Sequence, residues 1–401
     1  MPAHSKYSAV VVGFVIQLVY VIFVGLGWAF GKNVISRSSD LSQLVRDGAF
    51  IKILISYLSL VSVCGFIFLV YDKIILQGIS FSDGLGSARV QWQNNADERS
   101  GRVSSVFSLL GYMFGQGYFL IPSLLVHYRC VFNRKLTVQY AVISAFLAIA
   151  NSLITGGRST LLLFFAFSLI GLLLPRFQLY INWRLVRKFS LPVALIILIS
   201  IFYSGFVFAS RASMNDIGAG DYVVGWIDEL TLVPDPSLIK IIEVPVIGEI
   251  LGIFILCVAY VTHSFSVTTA IWEVGSEDKQ LLFATVVNFI ARTGFIETKD
   301  LNWFLYGKLP SLPGSLFYQY GWIGLILGSS FIGASSGILY QRLRKGGGVL
   351  SLMLYAMFGS TIVLGPSFFA PDFLMAPFVL SSVIAGYAFC VVFLKIFRQN
   401  K

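Results

Sequence analysis

The chain is built from apolar runs close to membrane-spanning length, set one after another with little between them. They fall at 8–30, 50–71, 103–126, 137–155, 159–175, 189–209, 250–271, 281–294, 316–340, 349–366 and 373–394. The hydrocarbon core of a bilayer is about 30 Å thick, and a helix crosses it in roughly 17–25 residues. Most of the runs reach that length. The run at 281–294, LLFATVVNFIARTG, is short and reads as an interfacial helix or half of a hairpin. Lipid offers the backbone no hydrogen-bond partners, so apolar spans of this kind must be helices. The expected fold is all-α: a polytopic integral membrane protein with about 10–12 transmembrane helices in one domain over residues 1–401.

Composition narrows the function classes. Of the 401 residues 57% are hydrophobic and 12% charged, about half the charge of a soluble domain. No large soluble domain fits between the runs. The net charge of +10 would suggest nucleic acid in a soluble protein. Here the basic residues gather in short loops, so membrane orientation accounts for them and nucleic acid is not an expected partner. Cys64, Cys130, Cys257 and Cys390 show no CxxC spacing and read as packing residues, not as metal ligands or disulfides. The first run follows Met1–Lys6 without a small-residue cleavage site and reads as a retained helix.

Lysine and arginine set the orientation. HYRCVFNRK, RFQLYINWRLVRK, QRLRK and KIFRQNK are basic and belong in the cytoplasm. Segment 210–250 is the reverse: Asp216, Asp221, Asp228, Glu229, Asp235, Glu243 and Glu249 outweigh Arg211 and Lys240. The outer loops are then about 72–102, 210–250 and 296–315, with shorter connections at Gly156–Arg158 and 367–372. Counting back along the spans puts the N-terminus outside.

In NSLITGGRST, residues 151–160, the glycines make a tight outer turn between two spans. A turn explains Gly156 and Gly157 but does not require Arg158. Arginine in a membrane is costly, and its guanidinium binds phosphate bidentately. Two readings stand: an arginine snorkelling to the interface, or a clamp for a pyrophosphate with Gly157 allowing close approach. Arg89, Arg99 and Arg102 in GSARVQWQNNADERSGR, Arg211 in FASRASMND and Arg292 in NFIARTGF lie on the same side. Singly each is an ordinary surface charge, and Arg99 and Arg102 read as solvated. Together they would make a cationic cavity facing the outer leaflet.

His263, in AYVTHSFS, is the one histidine inside an expected span; His4 lies in the leader and His127 at a cytoplasmic helix end. It is either a satisfied interhelical contact or a proton-transfer group suited to neutral pH. Tyr260 lies one turn earlier on the same face. In YGKLPSLPGSLFYQYGWIGLILG, Pro310, Pro313 and Gly314 break the chain at the expected outer surface, and Tyr318 and Tyr320 follow at the interface. Those tyrosines read as an aromatic belt or as a sugar-stacking platform. Gly321, Gly324 and Gly328 read as small residues that let helices approach. The sequence has no P-loop, no HExxH and no GxSxG with triad partners, which disfavours ATP-driven pumping and metalloprotease chemistry.

The pattern resembles bacterial O-antigen polymerases, the Wzy type of oligosaccharide repeat-unit polymerase. TGGRSTLL after a span, GSARVQWQ in an early outer loop, and PSLPGSLFYQYGWIGLILG at the entry to a late helix carry the resemblance. It implies a GT-C-like arrangement in the bacterial inner membrane with the active site facing the periplasm. It also implies a reaction: transfer of a growing glycan from undecaprenyl pyrophosphate to the non-reducing end of a new lipid-linked unit. No nucleotide sugar, metal or other cofactor is expected. Membrane lipids, a flippase and a chain-length regulator of the same pathway are the implied partners. Such chemistry needs cations for the departing pyrophosphate and a base for the acceptor hydroxyl. The motif match gives Arg158 the pyrophosphate, with Arg89 in support. Location adds Arg211 and Arg292, and His263 is the candidate base with Asp216 and Asp228 as alternatives.

Two rivals remain. An O-antigen ligase has similar architecture and donor, but a larger outer loop is expected there. A transporter or flippase predicts internal repeats and charges in mid-span; no repeat is visible, and the charges gather at the outer face.

Overall fold

The computed structural model describes residues 3–33, 48–98 apart from 83, 105–128, 131–155, 159–172, 311–345, 347–367 and 375–399, with isolated positions between 240 and 269. Among these residues every regular element is helical. In chain order they are α1 (Ala3–Asn33), α2 (Gly48–Val70) with a π-helical extension Tyr71–Leu76, α3 (Leu85–Glu98) and α4 (Val106–Phe114). A 3₁₀ segment, Gly115–Leu120, leads into α5 (Ile121–His127), then α6 (Arg134–Thr155) and α7 (Ser159–Leu172). The later part contributes α8 (Leu312–Arg344), α9 (Val349–Leu364) and α10 (Met375–Gln399).

Six of these helical stretches are long and apolar enough to cross a membrane, and α7 and α9 are shorter apolar helices. The described residues are therefore all-α, and the chain is a multi-pass membrane protein. The expected runs at 8–30, 50–71, 137–155, 159–175, 316–340, 349–366 and 373–394 each coincide with a helix. Those at 189–209 and 281–294, and most of 250–271, lie outside the described residues.

Local chemistry sets several boundaries. Ser105 is extended, and its hydroxyl accepts from the Ser108 N–H at 3.2 Å to cap α4. Asn133 does the same for α6, its side-chain oxygen accepting from the Leu136 N–H at 2.8 Å. Ser311 caps α8 through the Gly314 N–H at 3.0 Å, with Pro313 in the first turn. A side-chain oxygen at this position satisfies one of the helix's unpaired N–H groups, and proline there removes a donor that had no partner.

One core is shared by α2, α4–α5, α6, α7, α9 and α10, around Leu54, Leu58, Phe119, Leu124, Leu147 and Leu352. A second, formed by α1 and α8, contains Ile16, Tyr20, Val24, Leu312, Leu316 and Leu325. Large side chains such as Phe14, Phe30, Phe146, Ile323 and Phe331 point outward, as a lipid-facing surface requires.

The α1–α8 contact is close enough to forbid side chains. A Cβ on Gly27 would strike the Ser330 carbonyl, and one on Gly31 the Ala334 carbonyl. Gly333 and Gly337 meet the Val24 and Trp28 carbonyls in return. Small residues four apart on both helices bring the backbones together, where dispersion is the main attraction available in lipid. Numbers rise together along the two helices, so they run parallel. Lys32 then shares an end with Arg342 and Arg344, and the start of α1 lies at the opposite end.

Three expectations are corrected. The run 103–126 does form a candidate span, Val106–His127, but its centre is 3₁₀ rather than α-helical, between Phe114 and Ile121. The stretch 72–102 is not simply a loop, because α2 continues through Leu76 and α3 fills Leu85–Glu98. Gly321, Gly324 and Gly328 do not serve helix–helix approach. Gly321 has φ 62° and ψ −158° inside α8, a combination open essentially to glycine alone. The chain bends there so sharply that a Cβ on Gly328 would lie 2.7 Å from the Leu316 side chain. In a straight helix those residues would stand about 18 Å apart along the axis. Gly324 and Gly328 are small because the folded-back segment Leu312–Tyr320 packs on them.

Candidate functional site

Two side chains, Asp72 and Lys73, are the charged groups buried among the described residues, with exposures of 0% and 3%. They sit on the π turn that ends α2. The end of α2 where Gly48 lies touches Val131 in the basic HYRCVFNRK loop. The π turn is therefore at the opposite end of the helix. From Gly48 to Leu76 the helical path is roughly 40 Å, more than the hydrocarbon thickness, so both charges lie close to that interface. Single π turns within α-helices recur at functional sites.

The pair draws several helix ends together. Asp72 Oδ2 accepts from Gln77 Nε2 at 2.6 Å, and Oδ1 accepts from Ser105 Oγ at 2.5 Å. Ser105 is the cap of α4, so the carboxylate holds that helix start. Lys73 Nζ donates to the Ile154 carbonyl at 3.1 Å and lies 4.8 Å from the centre of the Trp92 ring. Ile154 is in the last turn of α6, where carbonyls lack helical partners and the helix dipole favours a cation. Trp92 is on α3, which Asn95 Nδ2 also ties to the Gln77 carbonyl at 3.1 Å, while Gln91 Oε1 accepts from Ser80 N at 3.0 Å. Residues 91, 92 and 95 share one face of a helix, so the GSARVQWQ motif docks on the π turn through that face. Tyr112 of α4 lies within electrostatic reach of Asp72.

This arrangement lies at the end of α6, which leads into the Gly156–Arg158 segment. The helices α6 and α7 end and begin on either side of it, as the sequence predicts, and Lys73 caps the first of them two residues before Gly156. Gly157 and Arg158 themselves lie outside the described residues, as do Asp216, Asp228, Arg211, Arg292, Tyr260 and His263. Arg89 falls on α3, three residues before Trp92.

A second polar knot closes the start of α8. The Ser311 hydroxyl is 2.8 Å from that of Thr268 and accepts from Gln17 Nε2 at 3.3 Å. Gln17 Nε2 and Ser264 Oγ both donate to the Pro366 carbonyl, at 3.3 and 3.2 Å, and the Leu312 N–H donates to the Gly365 carbonyl at 2.9 Å. The knot joins α1, α8, the end of α9 and the segment that directly follows His263. Ser311, Leu312 and Ser315 are buried, so this break is inside the protein rather than at its surface. The tyrosines separate: Tyr318 is 1% exposed and Tyr320 60%. Two residues apart on a helix is about 200° of rotation, so they do not form one aromatic platform.

Asp72 and Lys73 escaped the sequence reading because the apolar run was ended at Tyr71. The residues IIL after them were the available signal: an acid and a base with apolar sequence on both sides. No group of three or more potential metal ligands occurs among the described residues. Comparison with family profiles, curated proteins and solved structures found no match to this chain.

Proposed function

We propose that this chain polymerises undecaprenyl-pyrophosphate-linked oligosaccharide repeat units into a surface polysaccharide such as O-antigen, at the periplasmic face of the bacterial inner membrane. The observation that supports this most is the fixing of the helix end that precedes residues 156–158. A buried lysine caps the helix that leads into it, and the helix carrying Arg89 docks on the same lysine through Trp92. Fixed geometry of this kind is what a site for a phosphate-bearing headgroup needs.

In this reading Arg158, with Gly157 beside it, binds the pyrophosphate of the donor. Arg89, Arg211 and Arg292 add positive charge, and Tyr260 and the exposed Tyr320 contact sugar. Tyr318, buried in the elbow, supports the segment that carries Tyr320. An acceptor hydroxyl attacks the anomeric carbon of the lipid-linked glycan. The bond from that carbon to the pyrophosphate oxygen breaks, and undecaprenyl pyrophosphate leaves. His263 takes the hydroxyl proton, with Asp216 or Asp228 as alternatives. A flippase that delivers the units and a chain-length regulator are the expected partners.

The test is the glycan ladder from a deletion strain complemented with wild type or Arg158→Ala. Collapse to a single capped repeat, restored by wild type alone, supports polymerisation. An unchanged ladder removes the chain from this pathway. A second reading, transport of a lipid-linked glycan, is favoured by the broken mid-membrane helix at Gly115–Leu120, because discontinuous helices build substrate sites in transporters. Loss of every capped species in the deletion strain would point to it or to a ligase.

A further inference from the structure

The span Val106–His127 is broken about midway by the 3₁₀ segment Gly115–Leu120, in which every residue is buried. Irregular backbone at membrane depth persists only where it is buried in protein or lines a hydrated space. Gln116 lies in the break with 0% exposure, and neither atom of its amide has a hydrogen-bond partner. Further buried oxygens without partners are Tyr118 Oη in the same segment and Ser62 Oγ and Ser59 Oγ on α2. Ser62 is against the break itself, since a Cβ on Gly117 would sit 3.2 Å from its hydroxyl. Ser59 is one turn away on the same face of α2. Ser144 Oγ of α6 donates to the Tyr118 carbonyl at 2.7 Å, so α6 closes the other side.

An isolated buried polar atom is unusual, and a buried amide left without both donor and acceptor contacts is strongly disfavoured. Several such atoms in the break and on the α2 face packed against it call for a common partner. The partner must be small, because the surroundings are fully buried. It is uncharged, because burying a charge with no counter-charge beside it is costly. It must also both donate and accept, because the Gln116 amide presents one group of each kind. Water meets all three conditions.

We infer that the broken centre of this span is a water-binding site, in which ordered water joins the Gln116 amide to the Ser62 and Tyr118 hydroxyls. This inference does not depend on the proposed reaction. The site belongs to the 3₁₀ segment and α2, with α6 closing one side, well below the Asp72–Lys73 pair, and its function is to satisfy polar side chains buried at membrane depth.

The test is X-ray radiolytic footprinting of the purified full-length protein, read by mass spectrometry. Radiolysis of bound water oxidises adjacent side chains even when bulk solvent cannot reach them. Wild type is expected to carry oxygen adducts on Tyr118, and Gln116→Leu is expected to lose them. Thermal unfolding gives a second reading of opposite sign for the two cases. Replacing a hydrated amide by leucine lowers Tm, whereas replacing a dry, unpartnered amide raises it. An unmodified Tyr118 in wild type, or a Gln116→Leu protein that melts higher, would overturn the proposal. The wild-type footprint stands even where the variant fails to fold.

Discussion

The Lys73 ammonium donates to the Ile154 carbonyl at 3.1 Å, joining the π turn of α2 to the last turn of α6. Its ammonium also lies 4.8 Å from the centre of the Trp92 ring of α3, so one side chain connects three helices at the end of α6 that precedes residue 156. Replacing Lys73 by methionine keeps most of its length and apolar contact but removes the donor and the charge. A hydrogen bond from a charged group contributes about 1.5–3 kcal/mol, and a comparable destabilisation is expected for Lys73→Met. The measurement is thermal unfolding in detergent. A variant that melts with wild type would show that the contact adds nothing to stability.

Asp72 acts through Ser105. The carboxylate accepts from the hydroxyl at 2.5 Å while that hydroxyl caps α4. The pair is suited to a double-mutant cycle. Ser105→Ala removes a helix cap, costing about 1 kcal/mol by itself. Asp72→Asn keeps the shape but turns one acceptor into a donor facing Gln77 or Ser105. Since the two residues are in contact, their effects should couple by roughly 0.5–3 kcal/mol. Strictly additive losses in unfolding free energy would show that the carboxylate does not hold the cap.

The spans were legible because lipid imposes a simple rule. Twenty apolar residues in a row have one stable backbone form, and α1, α6, α8 and α10 follow it. What interrupts the spans was less legible. Gln116 between two glycines looks like a tolerated polar residue in a helix, and nothing local says that Gly65 of another helix approaches Gly115 there. Gly321 was visible as a glycine, but its positive φ depends on the Leu312–Tyr320 segment finding a surface to fold against. The helices flanking the Gly156–Arg158 turn were predicted from their pattern alone. The buried lysine that caps one of them comes from sequence 81 residues away, so no local pattern could join the two.

The parallel pairing of α1 and α8 bears directly on orientation. The glycine contacts fix Lys32 at the same end as Arg342 and Arg344, the end that positive charge assigns to the cytoplasm. An N-terminal tag should accordingly label from outside intact cells, and a tag after Arg344, between α8 and α9, only after permeabilisation. Labelling of both tags from one side would contradict the parallel packing. Gly333→Leu should disturb the same contact, because its side chain would enter the Val24 carbonyl, and a loss of about 1–3 kcal/mol is expected from overpacking.

The elbow at Gly321 can be tested by distance. Leu316 and Gly328 touch across the bend, although twelve residues of straight helix would hold them about 18 Å apart. In a protein with its four native cysteines replaced, Leu316→Cys with Gly328→Cys should therefore be joined by a short bifunctional thiol reagent. Removing the leucine side chain leaves room for both thiols. A straight α8 would give no cross-link, and the buried Tyr318 would then have to leave the interior. Gly321→Ala provides the complementary measurement. Alanine at φ 62° and ψ −158° costs about 1–3 kcal/mol. The variant should melt lower than wild type and cross-link less efficiently, since strain at the hinge opens the fold-back that brings residues 316 and 328 together. If Gly321→Ala leaves both readings unchanged, the bend is not set by the glycine, and the Ser311 knot with Gln17 and Thr268 would be what holds Leu312–Tyr320 in place.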